Sequence, residues 1–248
     1  MSNGDFTRPQ LDTRRALPSA VFGEGTTNMQ RGTRYAEAMV QPINPLAMAV
    51  EGSYYVMRNP TPGTGVAHTA DPTALGATDA PFIAVKNTNL NKYLLLDYLR
   101  LRCTAAGTGG TVQEVAVTVD DGAVVRYTSG GAANTPIICG PADTPAASVL
   151  AYAGALVTVA NTAEKVIAHQ IVRSVIPVAG DVYTLGFNGG GQAGPQAAVA
   201  ADGTAILMRH IACAPVVVSP GCWMTVQLVR ASQSAAASWE FELGFAER

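Results

Sequence analysis

Residues 237–245 read ASWEFELGF, and Trp239, Phe241, Leu243 and Phe245 alternate there with Ser238, Glu240, Glu242 and Gly244. A period of two sends the large apolar side chains to one face of an extended chain and the polar ones to the other. The segment is a half-buried strand with a wet outer face. Just upstream, CWMTVQLVR (222–230) points Cys222, Met224, Val226 and Leu228 one way, and Trp223, Thr225 and Gln227 the other. TAILMRHIACAPVVV (204–218) precedes it, and the SPG between them predicts a hairpin turn. In that hairpin Cys222 lies opposite about Val218 and Cys213 opposite about Gln227, so these two cysteines do not face each other.

The same vocabulary continues toward the N-terminus. SYYVMRN (53–59), FIAVKN (82–87) and KYLLLDYLRLRC (92–103) read as strands. In the third, Leu95, Leu99, Leu101 and Cys103 share one face, and Arg100 and Arg102 share the other with Tyr98. AAGTGG (105–110) is a turn, and DDG (120–122) predicts a hairpin from TVQEVAVTV (111–119) into AVVRYT. A short helix is expected near 146–154. Strands follow at ALVTVA (155–160), KVIAHQIVRSVIPV (165–178) and DVYTLGF (181–187). PTPGTGVAHTADPTALGATDAP (60–81) and NGGGQAGPQAAVAADG (188–203) are long surface loops. About ten strands with turn chemistry between them, and almost no amphipathic helix, predict an all-β fold: an antiparallel, jelly-roll-like sandwich with long loops.

Residues 1–33 carry no apolar period, only widely spaced apolar residues among Pro, Gly, Arg and Thr. They read as an extended arm ahead of one β domain spanning 34–248. RYAEAMV (34–40) offers a turn or two of helix before Pro42 and Pro45 stop it. Residues 1–34 hold five Arg against Asp5, Asp12 and Glu24, a net of +2; the remaining eleven basic and fifteen acidic residues make −4. The arm's partner contacts are expected at Arg8, Arg14, Arg15, Leu17 and Phe22.

Only 14% of the 248 residues are charged, against roughly 25% in ordinary soluble domains. Such a surface suits either coverage by partner subunits or a small-residue coat of Thr, Ser, Asn and Gly. A net charge of −2 argues against nucleic acid and anionic membranes as partners. No run of about 18 apolar residues predicts a membrane-spanning helix, and MSNGDFTRPQ does not read as a signal peptide. Cys103, Cys139, Cys213 and Cys222 are therefore expected as reduced thiols in a cytoplasm, each in or near the core.

No catalytic signature stands out. GFNGGGQAG (186–194) resembles a phosphate loop only in its glycines, because no Lys or hydroxyl follows Gly191 and no βαβ unit surrounds it. His68, His169 and His210 are far apart and make no metal-ligand pattern. Glu240 and Glu242, roughly 7 Å apart on one strand face, overlap the spacing of glycosidase carboxylates. Their strand's aromatics point away, however, which favours a solvated or interface-facing acidic strip. Arg100, Arg102 and Tyr98 are too few for a nucleic-acid face. No catalytic, cofactor-binding or metal residue is expected.

The C-terminal run APVVVSPGCWMTVQLVRASQSAAASWEFELGFAER resembles the end of structural proteins in tailed-bacteriophage virions. There a Pro-Gly turn opens a strand, a small-residue bend follows and an aromatic-acidic strand closes a jelly roll. The Ala/Gly/Thr-rich composition and irregular arm are similar too, most of all to head decoration (cement) proteins. The resemblance implies a non-enzymatic virion protein, assembled in the host bacterial cytoplasm. It implies a dimer or trimer that bridges subunits of the major capsid protein. A tail or fibre jelly roll that binds a host glycan or receptor is the alternative.

Overall fold

Alternating apolar residues stabilise a strand only when other strands supply its hydrogen bonds and a facing layer covers its apolar side. In the computed structural model, which describes residues 45–69, 80–110, 112–140, 145–187 and 206–248, two sheets meet these needs for each other. The described residues all belong to the unit Pro42–Arg248. The expected arm with Arg8, Arg14, Arg15, Leu17 and Phe22, the helical turns at 34–40 and the glycine-rich loop at 188–203 lie outside the described residues.

The chain runs through α1 (Pro45–Val50), β1 (Tyr54–Arg58), β2 (Val66–Ala67), β3 (Ile83–Asn87), β4 (Leu94–Ala105) and β5 (Thr108–Gly109). Next come β6 (Gln113–Val119), β7 (Tyr127–Asn134), β8 (Ile137–Ile138), β9 (Val149–Thr158), β10 (Lys165–Arg173) and β11 (Val182–Gly186). The last are β12 (Met208–Ala212), β13 (Val217–Val218), β14 (Trp223–Val229), β15 (Gln233–Ala235) and β16 (Ser238–Glu247). One sheet has the order β12-β11-β4-β16-β1-β8, with β13 on β4 and β2 on β16. The other has the order β10-β6-β14-β3-β9-β7, and β15 pairs β5 in a small ribbon. Pairing is antiparallel except for β12, which runs parallel to β11. The all-β, antiparallel expectation holds.

The core lies between the sheets. Trp239, Phe241, Leu243 and Phe245 of β16 are all at most 3% exposed and share one cluster with Val115 and Val117 of β6 and Met224 and Val226 of β14. Phe241 meets Phe82 edge to face, with centroids 5.6 Å apart. The final strand therefore has the phase its alternation predicts. β4 does not keep one phase. Gly244 pairs with Tyr98 and Phe245 with Leu96, so Asp97 bulges out of the ladder. The inward set switches from Leu94 and Leu96 to Leu99, Leu101 and Cys103, and Leu95 leaves the core face.

Several local expectations are overturned by long-range pairing. No hairpin forms around DDG: β6 pairs β10 and β14, and β7 pairs β9. Instead, Asp120 Oδ1 accepts the amides of Gly122 and Trp223 at 2.9 and 3.0 Å and turns the chain across the sheet end. Residues 146–154 are not a helix, because β9 is captured between β3 and β7. SPG is not a hairpin turn either. It joins β13, which pairs β4, to β14 in the other sheet. The described part of 204–218 likewise holds two short strands, β12 and β13, rather than one. AAGTGG contributes β5 to a ribbon with β15. Pro45 begins α1, whose first turn tolerates a missing amide hydrogen. Met48 of α1 packs on Tyr54 and Ala246.

Charge is buried where the crossover connections pass over the sheets. Arg126, 1% exposed, lies 3.0 Å from Glu164 Oε2 and 3.6 Å from Asp120 Oδ2. Glu164 Oε1 also accepts from Thr118, and from Thr225 and Gln227 at 3.3 Å. This network ties the β6–β7 and β9–β10 connections together and explains why Thr225 and Gln227, on the outer face of β14, are buried. Arg173 and Asp181 form a second buried pair at 2.5 Å, joined by the Tyr183 hydroxyl at 2.7 Å. All four cysteines are free; Cys103, Cys213 and Cys222 are buried, but Cys139 is exposed, against the expectation for it. No helix among the described residues is long and apolar enough to cross a membrane.

Candidate functional site

The outer face of the sheet carrying β16 holds a half-open cleft of about 450 Å³. Its floor follows from strand register. Thr184 pairs with His210 and with Arg100, Arg100 with Glu242, and Glu242 with Arg58. One transverse row thus reads His210–Thr184–Arg100–Glu242–Arg58 over five strands. The adjacent row reads Met208–Val182–Arg102–Glu240. Side chains of one phase in paired strands stand side by side on one face, so register alone gathers three arginines and two glutamates.

Both oxygens of each carboxylate are engaged. Glu242 Oε2 lies 3.1 Å from Arg100 Nη2, and its Oε1 accepts the Tyr98 hydroxyl at 2.5 Å. Burial, then Glu242, pushes the Tyr98 pKa up, so the phenol stays protonated and donates. Glu240 Oε2 lies 3.0 Å from Arg102 Nη1, while its Oε1 accepts the Gly63 amide. Asn59 holds the rim: its Oδ1 accepts the Phe241 amide and its Nδ2 donates to Thr64 O, both at 2.9 Å. That bond anchors the 60–64 loop, which brings Pro62 into the lining.

The acidic strip expected at Glu240 and Glu242 is therefore not a free anionic surface. Arg100 and Arg102, placed by sequence on one strand face with Tyr98, are its counterions. Glu240 and Glu242 do sit in one cleft, yet neither is poised as acid or base, because each is held by an arginine and a further donor. Arg58 was not singled out in the sequence; its only signal is its position as the exposed last residue of a strand whose other residues are mostly buried.

The histidines stay apart. His169 Nε2 pairs with Glu114 at 2.6 Å on the surface of β10. His68 is 3% exposed, with Nδ1 2.7 Å from Thr69 O. Burial, with a smaller contribution from Arg230, brings its pKa down to about 4. No group of three His, Cys, Asp or Glu that could hold a metal ion occurs among the described residues. Comparison with known protein families, characterised proteins and solved structures gives no match to this chain.

Proposed function

We propose that this chain is a non-enzymatic structural protein of a tailed-phage virion, which decorates the capsid and stabilises it by bridging neighbouring capsid subunits. The observation that carries this reading is the character of its surface. Edge strands β10 and β12 belong to different sheets, yet Arg209 of β12 donates to Ile171 O of β10 at 2.7 Å. Along this flank Ile167, Ile171, Val175, Ile176 and Ile206 are 37–53% exposed. Large apolar side chains grouped on a charge-poor surface mark an interaction surface. On this reading the flank is where copies of the chain meet as a dimer or trimer.

The strand order supports a jelly-roll reading. β1-β16-β4-β11 in one sheet and β3-β14-β6-β10 in the other follow the alternation of a double-sheet jelly roll, with β9 and β7 extending the second sheet at β3. Jelly rolls serve in viral capsids and in lectins. The cleft favours the former, since its one aromatic residue, Phe241, is buried and offers no ring to a sugar. The test is co-sedimentation of the purified chain with shells assembled from the capsid protein of the same virion, beside light scattering of the chain alone. Saturable attachment of a dimer or trimer that raises shell melting supports the reading. A monomer that stays in the supernatant overturns it.

A further inference from the structure

We infer that the cleft between β12 and β1 is a receptor for carboxylate side chains on an acidic segment of a partner polypeptide, with Arg58 as its unoccupied anchor. The inference rests on the decoration reading only for the partner's identity, a neighbouring shell subunit. Its chemistry stands on the hydrogen-bond inventory. All four carboxylate oxygens of Glu240 and Glu242 already accept a bond. Arg100 and Arg102 each give one bond to those oxygens, and their side chains remain 54% and 57% exposed. A guanidinium has five N–H donors, so each keeps donors that the glutamates do not use, on side chains that line the cleft.

Arg58 adds a third guanidinium. It is exposed, and among the described residues its side chain makes no hydrogen bond or ion pair. Three arginines against two glutamates leave one positive charge, and His210 ends the same row. The net charge of the row is positive, and the unused capacity of the three arginines is donor-only. It matches an anion with planar acceptor pairs, the geometry for which arginine forks are suited.

The walls choose among anions. Val182, Met208 and Pro62 line the cleft beside the arginines and fit the methylene stems of Glu or Asp side chains. The absence of an exposed ring disfavours a nucleic acid strand, whose bases need stacking platforms. The chain's own first 34 residues, at net +2, have the wrong sign to be the occupant.

The experiment uses the full chain and a fluorescein-labelled hexaglutamate peptide, read by anisotropy. Oligothymidylate and an oligouronate are the comparison probes. Wild type is expected to bind the peptide, more weakly as salt rises. Arg58→Gln should weaken binding about tenfold, the loss of one charge-assisted bond, and Arg58→Glu should abolish it. The melting temperature of Arg58→Gln should stay at the wild-type value, because the Arg58 side chain makes no hydrogen bond or ion pair among the described residues; Arg58→Glu, set across the ladder from Glu242, should lower it slightly through like-charge repulsion. No peptide binding by wild type, or equal binding by Arg58→Gln, overturns the inference. So does Arg58-dependent binding of oligothymidylate or oligouronate in preference to the peptide. Shell attachment is scored separately: peptide binding without attachment to shells sinks the decoration reading alone, and attachment without peptide binding sinks the cleft alone.

Discussion

Replacing Gly244 by alanine tests the packing of the outer face with a change of one methyl group. Within a strand, alanine in place of glycine is ordinarily favourable by roughly 0.5–1 kcal/mol, since glycine gives up more backbone freedom on folding. Here the space is taken. A Cβ on Gly244 would stand 2.5 Å from Tyr54 Oη and 2.5 Å from Tyr98 Cε1. Neither ring is free to swing away. Tyr54 donates to the buried Asp97 at 2.6 Å, and Tyr98 donates to Glu242. Relieving the overlap costs about 1–3 kcal/mol as overpacking. Straining the buried Tyr54–Asp97 bond costs roughly 1–2 kcal/mol more. After the backbone gain is subtracted, Gly244→Ala should destabilise by about 1–4.5 kcal/mol, a fall in Tm of roughly 2–18 °C for a chain this size. Urea unfolding of wild type, Gly244→Ala, Tyr98→Ala and the double variant measures it. The two changes should couple, with the alanine at 244 better tolerated once the Tyr98 ring is gone. A Gly244→Ala variant as stable as wild type or more so would refute the argument.

Phe241→Ala should cost about 3–5 kcal/mol, because Phe241 is 3% exposed against Phe82; Glu240→Gln, which keeps an acceptor for the Gly63 amide and loses an ion pair only to the exposed Arg102, should cost no more than about 1 kcal/mol. The reverse order in thermal unfolding would mean that β16 has the opposite phase. Arg126→Ala leaves Asp120 and Glu164 buried without their cation and should lose about 3–5 kcal/mol, whereas an effect below 1 kcal/mol would show that the network does not hold the crossovers. For His68, the folded-state pKa of about 4 lies below the ordinary 6.5, so the unfolded chain takes up a proton that the native state refuses. The corresponding stability is present above pH 6.5 and is lost as pH falls toward 4. Between pH 7 and 4.5 wild type should therefore lose about 2–3 kcal/mol more than His68→Gln, and parallel denaturant midpoints for the two would contradict this.

What the residues determine unaided is the local conformation of the longer strands and the side each turns inward. ASWEFELGF reads correctly because a single period of two runs from Trp239 to Phe245, and no competing pattern fits it. The wet side of β4 is legible for the same reason, with Arg100 and Arg102 apart from Leu99 and Leu101. What the tertiary structure decides is pairing. DDG and SPG carry turn chemistry that suits a hairpin, and a turn signal does not say whether the strand after it stays in the same sheet. The bulge at Asp97 is invisible for a related reason: it exists to reconcile β4 with β16, more than 130 residues away, and it moves Leu95 off the core face. The cleft belongs wholly to this second kind. Arg58, Arg100, Glu242, Thr184 and His210 have no common spacing along the chain, and they form one row because antiparallel and parallel ladders fix five strands in register. A charge on the wet side of a strand is local information; its neighbour across the ladder is not.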